Sequence, residues 1–157
     1  MAAESRSNLM AHAAALPDFH WHCRHTWRRA SVNTAWCLTG CAAGDFGTIA
    51  FFQLTGIAWP TMAIMILATL NGILASIALE TAILSRQMAL RTAFKTAIGM
   101  SLISMIAMEA AMNGVDWLLT GGAMLTWWVL PIMLLAGFLA PLPYNYWRLK
   151  ALGRACH

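Results

Sequence analysis

Charge is what this sequence is shortest of. Lys and Arg number 10 and Asp and Glu 6, which is 10% of 157 residues, where a soluble domain carries about 25%. With 60% of the residues hydrophobic, too little polar surface remains to keep a fold of this size in water. The chain therefore reads as an integral membrane protein. Cysteine is scarce as well: four scattered residues exclude a disulfide-built secreted module. Histidine is missing from every apolar run, its five copies being His12, His20, His22, His25 and His157, so a haem held from within the membrane is excluded. There is no Gly-x-Ser-x-Gly, Walker loop, dinucleotide fingerprint or His-Glu-x-x-His. No soluble-enzyme constellation is present, and no motif for ATP-driven transport. The reading favours a binding or transport protein over an enzyme. Nor is there a basic stripe of the kind nucleic acid requires. The Met10–Leu16 stretch, interrupted by His12 and followed by Pro17-Asp18, is too short for a signal-peptide core.

What the sequence has in excess is methionine, 11, and tryptophan, 8. Interfacial belts explain much of the tryptophan and less of the methionine. Residues 1–30 read as a basic tail, 31–147 as a membrane domain and 148–157 as a second basic tail. Within the domain, apolar runs at about 33–57, 61–84, 93–119 and 123–140 predict four spans of a length suited to the bilayer. Arg24, Arg28 and Arg29, then Arg86, Arg91 and Lys95, then Arg148, Lys150 and Arg154 would all lie on one side of such a bundle. The turns at Trp59-Pro60 and Thr120–Gly122 carry no charge. The positive-inside rule then predicts an all-α, multi-pass bundle of four transmembrane helices in the inner (plasma) membrane, with both termini cytoplasmic.

The third run contains residues that lipid does not welcome. On a helix at about 100° per residue, Ser101, Met105, Met108, Glu109, Met112 and Asp116 share a sector about 100° wide, with Asn113 at its edge. Leu102, Ile103, Ile106, Ala110 and Leu118 cover the opposite face. A carboxylate at bilayer depth costs at least about 2.5 kcal/mol and marks a functional site by default. The first run repeats the pattern: Cys37, Cys41 and Asp45 are spaced four apart and stack on one face, with Asn33, Thr34 and Thr48 on the same line. Gly40 and Gly44 lie beside it as a small-x-x-x-small pair that admits a close neighbouring helix. In the second run Met62, Met65, Thr69, Ser76 and Glu80 share one side. Were these faces to converge, Asp116, Met112 and Met62 would line the outer part of one lane, Glu109, Met108 and Asp45 its middle, and Cys41, Cys37 and Met105 its inner part. The tails add His20, His22, Cys23 and His25, and Cys156 with His157. Thiolate and thioether ligands select copper(I) among common metals, and a ladder of weak sites lets an ion leave as well as enter.

Three segments carry a resemblance. Cys37-Leu-Thr-Gly-Cys-Ala-Ala-Gly-Asp45, Gly99 to Asn113 and Leu142 to Lys150 with Ala155-Cys-His157 resemble an uncharacterised bacterial family of small four-helix membrane proteins, a domain of unknown function. The resemblance implies a membrane location and no established activity. In ligand chemistry alone, Met108-x-x-x-Met112 and the Cys156-His157 ending resemble eukaryotic copper transporters, which have three spans.

The expectation is a membrane protein that binds or passes a soft metal ion, copper(I) first, along a path of Cys, Met and carboxylate side chains. The expected partners are the lipid bilayer and the metal ion, with a homo-oligomer or larger membrane complex and no nucleic acid. Two alternatives stand beside it. One is a non-catalytic subunit or assembly factor of a membrane complex. The other is a membrane thiol oxidoreductase, which four cysteines invite and which the Cys37–Cys41 spacing, unlike Cys-x-x-Cys, does not favour.

Overall fold

The computed structural model describes Trp21 and residues 23–151. They form helices and connections, with no strand among the described residues. Three helices are long: α1 (Arg24–Thr55), α2 (Thr61–Leu84) and α3 (Leu90–Thr120). Two short ones follow, α4 (Leu130–Leu139) and α5 (Leu142–Ala151).

The helix ends follow from local chemistry. Gly56, at φ 66°, closes α1 by bonding its N–H to the Phe52 carbonyl at 3.0 Å. Pro60, with its φ at −57°, then leads into α2. The α3 stop is sharper. Gly121 at φ 85°, Gly122 at φ 96° and Ala123 at φ 53° are all left-handed, a run that two glycines make accessible. Pro131 sits in the first turn of α4, where a missing N–H is harmless. Pro141 lies between α4 and α5, where its ring and absent donor break the ladder.

Burial differs from that of a soluble protein, since polar side chains share the interior with apolar ones and many large apolar ones face outward. The interior holds Thr34, Asp45, Ser76, Ser101, Ser104, Glu109, Asn113, Asp116 and Asn145, while Leu54, Leu70, Leu74, Ile103, Ile106 and Leu118 point outward. Apolar side chains outside and polar ones inside suit a lipid solvent. By length and composition Arg24–Thr55, Thr61–Leu84 and Ser101–Thr120 can each cross a membrane. The architecture is that of an all-helical membrane protein.

The boundaries differ from expectation in informative ways. The second helix begins and ends where the sequence placed it, and the third is extended by a few residues at its start. α1 begins at Arg24 and not at 33, because Thr26, Ala30 and Thr34 are buried and α5 packs alongside. The anticipated fourth span is not one long helix. α4 has 10 residues, about 15 Å at 1.5 Å each and half of a hydrocarbon core of about 30 Å. Residues 123–129 are spent on the turn after α3, and the chain breaks again at Ala140-Pro141.

Glycine sets the α1–α2 contact. A Cβ on Gly40 would lie 2.5 Å from the Ser76 Cα, and one on Gly44 would strike the Asn71 carbonyl. The small-residue pair of α1 is thus used within the chain, against Asn71, Gly72 and Ser76 of α2.

Candidate functional site: a sulfur and carboxylate lane

α1 brings in its stacked face as the sequence suggests: Thr34, Cys37, Cys41, Asp45 and Thr48 are all buried. α3 does the same with Ser101, Met105, Met108, Glu109, Met112, Asn113 and Asp116. The faces meet. Cys37, Cys41, Met105, Met108, Met112, Met133 and Val129 form one packed cluster of buried side chains, so thioethers and thiols from α1, α3 and α4 share an interior. Gly137 of α4 makes room for this, since a Cβ there would lie 2.7 Å from Met112 Cγ and 2.9 Å from its Sδ.

Contacts put the groups in order. At the Gly121 end, the Thr120 hydroxyl donates to Asp116 Oδ1 at 2.6 Å and accepts from the Gly122 N–H at 3.1 Å. Asp45 comes next, near Asp116 and the Asn113 amide but hydrogen-bonded to neither. Asn113 Nδ2 donates to Glu109 Oε2 at 3.3 Å and to Thr69 Oγ1 at 3.3 Å, so this amide lies between the two carboxylates. The Glu109 carboxyl fills the space above Gly72 and interacts with Asp45, Cys41 and Cys37. Cys37 Sγ lies 3.3 Å from Ser76 Oγ, whose hydroxyl donates to the Cys37 carbonyl at 3.0 Å. Beyond it, Glu80 interacts with Ser101, Cys37 and Arg148. α5 covers this end, with Asn145 Nδ2 donating to Thr34 Oγ1 at 2.7 Å.

The carboxylates are short of donors. Both Asp45 oxygens, Glu109 Oε1, Asp116 Oδ2 and Asn113 Oδ1 are buried with no hydrogen-bond partner among the described residues. No Lys, Arg or His occurs at positions 30–85 or 96–147, so no basic side chain from those stretches can pair with them. Each unpartnered buried acceptor costs about 1–3 kcal/mol, and more when charged. Acceptors left without donors in this way are satisfied by a proton or by a cation.

The expected ligands divide into groups. Cys37, Cys41, Asp45, Met105, Met108, Glu109, Met112 and Asp116 lie in the lane. Met62 does not: it is 57% exposed at the start of α2, whereas Met65 is buried. Cys23 is disulfide-bonded, which takes its sulfur out of a thiolate set, and His25 is exposed at the start of α1. His20, His22, Cys156 and His157 lie outside the described residues. Among the described residues no three His, Cys, Asp or Glu side chains come together to hold a metal ion. The four methionines would therefore have to complete any coordination. Two contributors, Met133 and Gly72, were not singled out from sequence, whereas Ser76 was expected on this face of α2. Met133 lay in a run with no periodic polar partner. Gly72 has a signal in its spacing from Ser76, four residues on along α2 in the same small-x-x-x-small pattern as Gly40 and Gly44.

The fold and the lane together define a small helical membrane protein with sulfur and carboxylate side chains sequestered between its helices. Its family follows from the sequence: the chain belongs to DUF4396, a domain of unknown function, whose model matches residues 26–154. That range contains every lane residue and leaves His20, His22, Cys23, His25, Cys156 and His157 outside. No curated protein and no solved structure matches the chain.

Proposed function

We propose that this protein binds a soft metal ion, copper(I) first, and passes it along the lane between α1, α3 and α4, in the plasma membrane with both termini cytoplasmic. One observation carries the reading. Six of the seven buried residues in the central cluster are Cys37, Cys41, Met105, Met108, Met112 and Met133. Thioethers bind copper(I) and bind hard cations poorly. Packing alone would be served as well by Leu, and Met fills cores adaptably; the two thiols and the adjoining carboxylates, each with at least one oxygen lacking a donor among the described residues, are what packing does not call for. A ladder of neutral thioether sites would hold an ion weakly enough to release it, as passage requires. The cytoplasmic side is assigned by the basic residues at 24–29, 86–95 and 148–154.

The test is anaerobic copper(I) titration of the purified full-length protein in detergent against a competing chelator. The expected result is saturable binding that weakens by about tenfold or more in the Met108→Leu, Met112→Leu, Cys41→Ser triple variant. Equal uptake by the triple variant would remove the lane as the site.

A second reading, a non-catalytic subunit of a larger membrane complex, has one feature behind it. Ala43, Gly47 and Phe51 of α1 and Leu67 and Ala75 of α2 line an open groove of about 580 Å³. A Cβ on Gly47 would meet nothing within 4 Å, so a foreign helix could approach closely there. Co-purification of a stoichiometric partner lost on Gly47→Leu would favour it. The oxidoreductase reading is less well served, since Cys37 and Cys41 are free thiols with 1% and 0% exposure and exchange requires access.

A further inference from the structure

A second feature lies at the other end of α1, apart from the lane. Arg24, His25, Trp27, Arg28 and Ser31 line a concavity of about 660 Å³ at the helix start. Arg24 and Arg28 are exposed and four residues apart, so they project side by side, with Ser31 one turn further on. Like charges in that spacing repel one another. Nothing acidic relieves them locally: no Asp or Glu occurs between Asp18 and Asp45, and α1 has no acidic residue in its first turn and no side-chain cap. The positive pole of the helix therefore adds to the two guanidinium charges.

One wall is rigid. The Trp27 ring packs on Tyr146 at 4.4 Å between centroids, and its Nε1 donates to the Trp21 carbonyl at 2.8 Å. Trp21 stacks on the same Tyr146 at 5.1 Å. Tyr146 is fully buried, and its hydroxyl accepts from the Cys23 N–H at 3.3 Å. The concavity is thus anchored to α5.

Its depth matters too. Crossing the hydrocarbon takes about 20 helical residues, and counting back from Thr55 puts the boundary near Trp36. Ser31 and Arg28 then lie about 8–12 Å further along the helix, at the headgroup layer.

We infer that this concavity is a binding site for the phosphate headgroup of an anionic glycerophospholipid, with Arg24 and Arg28 as the paired donors, Ser31 as the neutral one and Trp27 as the aromatic wall. Guanidinium forks match phosphate oxygens in a way a diffuse charge does not. Neutral zwitterionic lipid gains little from a site with two cations that no acidic side chain among the described residues opposes.

Native mass spectrometry of the full-length protein in neutral detergent, titrated with phosphatidylglycerol or phosphatidylcholine, tests this. The expected result is retention of phosphatidylglycerol over phosphatidylcholine, weakened roughly 30-fold in the Arg24→Gln, Arg28→Gln variant. An Arg86→Gln, Arg91→Gln control, which removes the same charge from the α2–α3 connection, should retain it. Equal retention of the two lipids, or equal loss in both double variants, would overturn the site. Displacement by millimolar inorganic phosphate would overturn the lipid assignment in favour of a free anion. Copper(I) uptake should not change in the Arg24→Gln, Arg28→Gln variant, so this inference and the proposed function fail separately.

Discussion

At the scale of single residues, glycine and the carboxylates make opposite demands on the same space. Gly72 exists where it does because Glu109 and the Cys41 carbonyl occupy its Cβ position. Gly72→Ala should therefore destabilise the protein by about 1–3 kcal/mol, as overpacking does, read as a lowered midpoint of thermal unfolding in detergent. Gly47→Ala is the matched control, and with open space at that position it should leave the midpoint unchanged or slightly raised. Gly72→Ala that melts like wild type would show that the Glu109 carboxyl is free to sit elsewhere. The neighbouring Asp116 is held by Thr120 Oγ1. Thr120→Val keeps the shape and removes that donor, so it should lower stability by about 1–2 kcal/mol, measured the same way.

These residue placements were largely legible in the sequence. The spacing of Cys37, Cys41 and Asp45, and the sector from Ser101 to Asp116, identified the buried faces because a helix buries one side whatever the solvent. Met62 misled, since it shares a helix face with Met65 yet lies in the first turn of α2, where that face is exposed. Ser104 went unnoticed because a small hydroxyl that bonds back to the Ser101 carbonyl at 2.8 Å leaves no mark in a hydropathy pattern.

Among the elements, the last part of the chain departs most from expectation. Four apolar runs suggested four spans, at about 33–57, 61–84, 93–119 and 123–140. Three hold, and the fourth, expected at 123–140, becomes a turn followed by α4, with α5 beyond it. The Gly121-Gly122 pair and Pro141 were visible, but hydropathy averages over such breaks, and only the packing shows where they fall. The start of α1 was missed for a related reason. Three arginines and a plausible cap at Ser31 or Asn33 resemble a helix boundary, yet contacts with α5 extend the helix across them, a case of tertiary packing overriding a local signal. α5 is held by Asn145 on Thr34 and by Tyr146 among Trp21 and Trp27. Asn145→Leu should loosen it: amide exchange within 142–151 should speed up by about tenfold while exchange in α2 stays as it was. Unchanged protection in that segment would mean that the aromatic contacts alone suffice.

At the scale of the whole molecule, the placement of polar side chains in the interior is the central fact. A 157-residue chain with three helices of membrane length keeps Asp45, Glu109 and Asp116 and the sulfur atoms of Cys37, Cys41, Met105, Met108, Met112 and Met133 in its interior, the arrangement on which the proposed passage of a soft cation rests. Topology is one check on this scale. On the proposed orientation, with both termini cytoplasmic, a single cysteine placed at Gly121 should react with an impermeant maleimide from outside intact cells, and one at Arg86 only after permeabilisation; the reverse pattern would invert the lane. The most direct measurement is the X-ray absorption spectrum of the copper(I)-loaded protein. A first shell of sulfur that is lost in the Met105→Leu, Met108→Leu, Met112→Leu variant is the predicted result. A shell of nitrogen and oxygen, unaffected by those substitutions, would place the metal on the tails and leave the sulfur core as packing.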